Sequence, residues 1–469
     1  MPGPEQRATG VSAHAHPALP VAPADPPVAL THGAADVPPV SPDASTYQPP
    51  RRNFPLLLAQ GGSYGLAGKL ASTNIVLPFL CAALGGSLIV AGLLVPLGII
   101  GTLVGYTVGP NLLASRLPSR TVMALATLGT ATLLFALATV GLLFRDSTSA
   151  VNVTFLAIAL GSGLLSGIGT IAFTNVLASA VQRERRRRLL FTQAALGGLL
   201  ASVVAIVSTW MFAGRDPVVG HIALEWIAGA FLVVSAGCSL LIGVEHVPTT
   251  TAKAGPRRSL VTTLRRGAQA ARRYPWLREY LIQQILFLSV VLGTTFFSIR
   301  VAALHGSVPG SLAVIIAVTS LGLVVGAVLW ERVLTRRGFR GMLIGGTMCS
   351  TLAAAGAVTV ERLGLVGSPF VHAIFILLAT LANDAVSVAK SAFLVENARP
   401  EELSELSAFT QLTIGVASAV LAVAIAALAQ VHGTVWPPMI LLGLNLLAVG
   451  AAWRSRYGKP SPESPTPPP

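Results

Sequence analysis

The sequence predicts an all-α membrane protein of twelve transmembrane helices in two six-helix halves, with N and C termini cytoplasmic. Two observations carry this. Apolar stretches of about 20 residues, the length that crosses a bilayer, recur from Phe54 to Trp453. Lys and Arg are concentrated in alternate gaps between those stretches, the pattern that holds loops on the cytoplasmic side.

The predicted helices run over residues 54–80, 84–109, 121–144, 151–180, 189–213, 222–244, 281–303, 311–331, 341–360, 369–394, 405–430 and 437–453. One set of gaps holds Arg51 and Arg52, Arg116 and Arg120, the run from Arg183 to Arg188, eight cations between Lys253 and Arg278, four between Arg332 and Arg340, Arg399, and Arg454 onward. The other set holds only Arg145, Arg215, Arg362 and, at a helix end, Arg300. The long gap after helix six divides the chain into a disordered tail at 1–50, a first half at 51–245, a basic cytoplasmic linker at 246–280, a second half at 281–455 and a second tail at 456–469. Within the linker, residues 260–280 read either as an amphipathic helix on the membrane surface or as a solvated basic segment that fixes topology.

Composition excludes several classes. The net charge of +14 sits in loops between apolar segments, so it sets topology and makes no nucleic-acid surface. Cys81, Cys238 and Cys349 lie far apart inside apolar segments, which gives neither a disulfide framework nor a metal site. His14 and His16 in the first tail make a poor metal site on their own. Gly61 to Gly68 and the glycines at 161, 163, 167 and 169 lack the Gly-Lys-Ser/Thr ending and the preceding strand of a phosphate loop. They read as small residues that let helices approach, and ATP-driven pumping is not expected. No catalytic dyad, nucleophile motif or metal-ligand cluster appears, so the chain is not read as an enzyme and no cofactor is expected.

An internal repeat supports two related halves. Phe191-Thr192-Gln193 opens helix five and Phe409-Thr410-Gln411 opens helix eleven; in that register Gly197 falls on Gly415 and Ala201 on Ala419.

This organisation resembles the major facilitator superfamily, whose signature Gly-x-Leu-Ala-Asp-Arg-x-Gly-Arg-Arg/Lys lies between helices two and three. Residues 111–120 read Asn-Leu-Leu-Ala-Ser-Arg-Leu-Pro-Ser-Arg, keeping Leu113, Ala114, Arg116 and Arg120 but placing Ser115 where the family has Asp. The second-half loop has Glu331-Arg332, then Arg337 to Arg340. The resemblance implies a conformational latch formed by Arg116, Arg120, Glu331 and Arg332. The first helix, from Gly61 through Ser72 to Val76-Leu77-Pro78-Phe79, is similar to a bacterial permease subgroup of that superfamily with no firmly assigned substrate.

Ionisable groups inside a bilayer cost about 2.5–3.5 kcal/mol at its centre and mark pathways. Lys69 lies near the middle of helix one, on a face with Gly62, Gly65, Ser72 and Thr73, whose hydroxyls can solvate an ammonium. Asp384 in helix ten sits on a polar stripe with Thr380, Asn383, Ser387 and Ser391. Reversible protonation is assigned to Asp384; a static ion pair is the competing reading for either residue. Lys390 is expected to snorkel to the interface. By analogy with the resembled family, helices four and seven add Asn175, Gln283 and Gln284 to the substrate and proton pathway, with Thr294 and Thr295 nearby. Satisfied interhelical hydrogen bonds are the plainer explanation for most of these.

The resemblance implies a secondary transporter, expected to be monomeric, and the arginine-rich, lysine-poor composition points to a bacterial cytoplasmic membrane. Its partners are a small-molecule substrate and the lipid bilayer, with no nucleic acid. It is expected to export a small amphiphile by proton-coupled antiport. The alternatives are an uptake permease for a small anionic metabolite, with Lys69 as its counter-charge, and a non-transporting receptor or scaffold.

Overall fold

Residues 1–51, 115–116, 244–259, 366, 399 and 455–469 are outside the description that follows, which rests on a computed structural model. The predicted tails and Arg116 therefore lie outside the described residues.

The described residues form helices only, in the order α1 (Asn53–Leu70), α2 (Val76–Ala83), α3 (Leu88–Ala114), α4 (Ser119–Leu143), α5 (Thr148–Ala180), α6 (Arg183–Met211), α7 (Pro217–Leu241), α8 (Leu260–Arg273), α9 (Pro275–Leu286), α10 (Leu288–His305), α11 (Ser311–Arg362), α12 (Pro369–Asn397), α13 (Pro400–His432) and α14 (Trp436–Arg454). Among the described residues, 10 helical stretches are long and apolar enough to cross a membrane.

Three departures from the expected helices stand out, and two of them have local causes. The first predicted helix is broken: α1 stops at Leu70 and α2 starts at Val76. Pro78 lacks the N–H that a continuous helix would aim at the Asn74 carbonyl, and the Ser72 carbonyl instead takes the N–H groups of Ile75, Val76 and Leu77. The seventh is broken between α9 and α10 at Phe287, where the sequence carries neither proline nor glycine. The eighth and ninth run together as α11, bent at Gly338 with φ 65° and ψ −169°. That conformation is essentially reserved for glycine, so the bend is written in the residue type.

Packing follows the small residues. In the N-terminal set, α3 lies along α5, α4 along α5 and α7, and α1 against α6 and α7; in the C-terminal set, α11 packs on α12 and α14. The two sets meet through α3 on α13, α6 on α11 and α2 on α10. The apolar core runs through both sets, from Leu66, Phe79 and Phe155 to Phe296, Ile316 and Leu441.

The structure refines the repeat by one residue. Gly198 approaches Ser320 of α11 and Gly415 approaches Ile99 of α3, so these two glycines hold matching places between the sets, while Gly197 packs inside its own set on Gly65. Burial agrees, since Gln193 corresponds in depth to Thr410, and Gln411 is exposed.

A second correspondence is not visible in the repeat. Arg120, in the first turn of α4, donates to the Ile242 carbonyl past the end of α7 at 2.9 Å. Arg340, in the second arm of α11, donates to the Trp453 carbonyl at the end of α14. Each arginine satisfies a terminal carbonyl that its helix leaves unpaired and complements the helix dipole. We expect Arg120→Ala to destabilise the protein by about 1–3 kcal/mol and Arg120→Ala with Arg340→Ala to do so additively, because the sites are far apart in separate sets. Thermal unfolding in detergent, against the exposed Arg185→Ala as a control, checks this.

From residue 260 onward the linker is helical. Its α8 exposes Arg265, Arg266, Arg272 and Arg273, while Gly267 is buried against the Phe409 ring of α13. At the opposite end, exposed Asp216 caps α7: its carboxylate accepts from the Val218 N–H at 3.0 Å and pairs with Arg145 at 2.8 Å. Those two bonds, the backbone one foremost, hold the Asp216 carboxyl below the usual range.

Candidate functional site

The break between α1 and α2 faces α10 across the two sets. Because Pro78 releases the Asn74 carbonyl, Thr295 of α10 can reach it, donating its hydroxyl at 3.3 Å. Irregular backbone of this kind, in corresponding helices of two halves, is where transporter folds place binding sites.

Lys69 occupies the last turn of α1, at the edge of the first break, and is half-buried. Ser72 and Thr73 follow it in the break itself, so they leave the helical face expected for them; Thr73 instead turns its methyl towards Gly98 of α3. Asp384 lies half-buried at the middle of α12, beside half-buried Asn383. Lys69 and Asp384, one from each set, are close enough for each to feel the other's charge. They form no ion pair within hydrogen-bonding reach among the described residues. Two opposite charges at mid-depth that attract without closing leave room for a ligand or a proton between them.

The other expected site residues lie on α5, α9 and α10. Gln283 and Gln284 sit on α9, where the Gln283 Oε1 and the Gln284 Nε2 are buried without hydrogen-bond partners. Thr294 and Ser298 of α10 are buried with unpartnered hydroxyls as well. Thr295 therefore fits the plain interhelical explanation and its neighbours do not. Asn175 is half-buried on α5. Lys390, further along α12, is half-buried too.

The latch residues are not gathered into one contact. Arg120 caps α7 within its own set, as described above, and Glu331 and Arg332 are exposed before the bend of α11. Arg300, near the end of α10, forms an ion pair with Glu361 and donates to the Thr434 hydroxyl at 2.5 Å.

Sequence reasoning missed three features. Glu225 of α7 is fully buried. His305 and His372 place their rings 5.1 Å apart at the end away from the arginine-rich loops. A cavity of about 180 Å³ lies within the N-terminal set, between α1, α4, α5 and α6, lined by Gln60, Tyr64, Thr127, Thr130 and Gln193 among others, with no charged residue. For Glu225 a signal existed, since a carboxylate inside the predicted sixth helix is as anomalous as Asp384.

Among the described residues, three hydrogen bonds between the two sets lie away from the arginine-rich end, in addition to the Thr295 bond to Asn74 at mid-depth. Ser87 donates to Gln430 at 3.1 Å, His221 Nε2 to the Gly306 carbonyl at 3.2 Å and Ser202 to the Ala317 carbonyl at 3.4 Å. The His221 ring nitrogen must carry the proton there, because a carbonyl only accepts.

Comparison places this arrangement among known proteins. No protein-family model matches the chain. Uncharacterised proteins of Mycobacterium tuberculosis and Mycobacterium bovis are 33% identical over 419 residues, spanning 89% of this chain and 80% of theirs. The chain belongs to their family. Its fold is that of the major facilitator superfamily. The nucleoside transporter NupG superposes with a TM-score of 0.60 at 14% identity, covering 85% of this chain and 97% of its own. The E. coli xylose transporter XylE, in an inward-open conformation, gives 0.62 at 12% identity over 87% and 97%. A bacterial homologue of the iron transporter ferroportin, inward-facing, gives 0.58 at 15% over 87% and 99%.

Proposed function

We propose that this member of the superfamily fold is a secondary transporter that carries a small molecule across a bacterial cytoplasmic membrane by alternating access, coupled to protons through Asp384. The observation that carries the reading is the placement of the bonds between the two sets: three of them close one end, while Lys69 and Asp384 face each other from opposite sets at mid-depth. Counting α1 with α2, and α9 with α10, as one crossing each and the two arms of α11 as two gives twelve crossings with cytoplasmic termini. In that topology the closed end is external and the present state opens inward. The superposed nucleoside and xylose transporters and the bacterial homologue of an iron transporter support transport as the class of activity.

Export of a small, largely apolar compound by antiport is the first choice of direction, because the helices around Lys69 and Asp384 offer few other charges. A second reading is favoured by one observation, the Lys69 ammonium without an ion pair: uptake of a small anionic metabolite. Lys69→Met separates the two. A library of anions and neutral amphiphiles is screened for compounds that raise the thermal stability of the purified protein. Hits are then followed into proteoliposomes. An exporter of neutral compounds keeps its stabilising ligands in Lys69→Met, whereas an anion carrier loses them. Failure of every stabilising compound to cross faster than in protein-free liposomes rejects transport.

A further inference from the structure

We infer that Glu225 is a proton-binding carboxyl of the closed end, which keeps its proton while His221 is bonded to Gly306 and gives it to water when the two sets part there. The inference rests on the alternating-access reading for the parting, but not for the proton.

The geometry begins with one face of α7. His221, Glu225, Ala228, Leu232 and Ser235 follow each other at helical spacing and are all buried. The ends of that face are fixed by contacts. Ser235 donates to the Gln60 carbonyl of α1 at 3.0 Å and receives the Gln60 amide at 3.3 Å. His221 meets the Phe79 ring of α2 edge-on, with centroids 5.3 Å apart. Since α7 runs antiparallel to α1 and α2, Glu225 lies between these contacts, level with the break at residues 71–75.

Glu225 is 0% exposed, and neither of its carboxyl oxygens has a hydrogen-bond partner. Its neighbours Ile222, Leu224, Ala228 and Leu232 belong to the apolar core. An ionised carboxylate without a partner is not tolerated in such surroundings; the group takes up a proton instead. The ionisable groups around it do not supply a counter-charge in this state. His221, one turn away, spends its Nε2 proton on Gly306. Asp216 and Arg145 pair with each other at the surface. On α1, Lys69 interacts with Asp384; α2 offers only buried Cys81; the ionisable groups of α4 and α6 lie at the opposite end; and His305, beside Gly306, stacks edge-on with His372.

His221 is the connection to the conformational change. Its bond to Gly306 crosses from one set to the other, so it breaks when this end opens. The imidazole is then released one turn above Glu225, water enters, and the carboxylic acid transfers its proton to water, leaving a carboxylate that the freed imidazole, on taking up a proton, can pair with. The oxygens gain the hydrogen bonds they lack in the closed state.

Infrared spectroscopy of the purified full chain in detergent at neutral pH tests this. The carbonyl band of a protonated carboxyl in apolar surroundings is expected in the wild type and in Asp384→Asn, and is expected to vanish in Glu225→Gln. Transfer to deuterated water provides a second measurement that needs no variant at Glu225. The band is expected to shift roughly tenfold faster in His221→Ala than in the wild type, as loss of one hydrogen bond holding the opening shut requires. Absence of the band in the wild type, its survival in Glu225→Gln, or equal exchange with and without His221 overturns the inference. A wild-type protein that shows the band and its exchange behaviour but moves no solute rejects the transport reading alone.

Discussion

Asp384→Asn is expected to abolish accumulation driven by a pH gradient while exchange of substrate across proteoliposomes continues. Asp384 sits at mid-depth on α12 opposite Lys69 of α1, and its carboxyl can gain and lose a proton. Asparagine keeps its shape and removes that ability. One pH unit is worth about 1.4 kcal/mol, an accumulation ratio of about tenfold at one proton per substrate. The variant should therefore fall from that ratio to unity, with solute counterflow largely retained. Lys69→Met should lower both, because it leaves a buried carboxylate with no cation opposite. A double variant restoring more folded protein than Lys69→Met alone would measure the coupling directly. If Asp384→Asn accumulates substrate as well as the wild type under the same gradient, Asp384 takes no part in coupling.

Helix positions were legible because hydrocarbon imposes a simple rule: a segment crosses if it is apolar for long enough. The structure moved most helix ends by only a few residues. The breaks were harder. Pro78 falls four residues after Asn74, so the α1 interruption was written in the sequence as a missing donor, yet hydropathy alone reads straight through it. The α9–α10 break at Phe287 has no such mark and depends on packing from other helices. The bend of α11 was half legible: a charged stretch separated two apolar runs, and Gly338 supplied the conformation, but an almost continuous 52-residue helix was not foreseen.

The candidate site divides in the same way. Lys69 and Asp384 stand out in any sequence reading, since each is an isolated charge in an apolar run. Their approach from opposite sets is tertiary information. Thr295 illustrates the limit: its partner is a carbonyl freed by a proline 217 positions earlier in the chain, and nothing local to either residue joins them. Glu225 was equally anomalous in sequence, and only its complete lack of partners distinguishes it from a paired carboxylate.

The glycines passed over as phosphate loops now have a specific role, and it yields the largest expected effect on folding. Along α3, Gly98, Gly101 and Gly105 face Gly163 and Gly167 of α5. A Cβ on Gly105 would overlap the Leu164 carbonyl and come within 2.9 Å of the Gly167 Cα; one on Gly163 would lie 3.0 Å from the Gly98 Cα. These obstacles are backbone, so no rotamer change relieves them. Without a hydrophobic drive between helices in lipid, close packing of small residues is what holds such pairs together. Core overpacking costs about 1–3 kcal/mol where side chains can yield, and a backbone clash on both helices should cost more. Gly105→Val is therefore expected to yield little monodisperse protein and to lower the unfolding temperature of what survives, with Gly167→Val behaving alike. Gly237→Ala on α7, where a Cβ meets nothing within 4 Å, should be neutral or slightly stabilising by about 0.5–1 kcal/mol. Size-exclusion profiles and thermal unfolding of the three variants decide the matter. A Gly105→Val protein as well folded as Gly237→Ala would mean that α3 and α5 do not approach this closely, and the packing of the N-terminal set would have to be redrawn around a wider crossing.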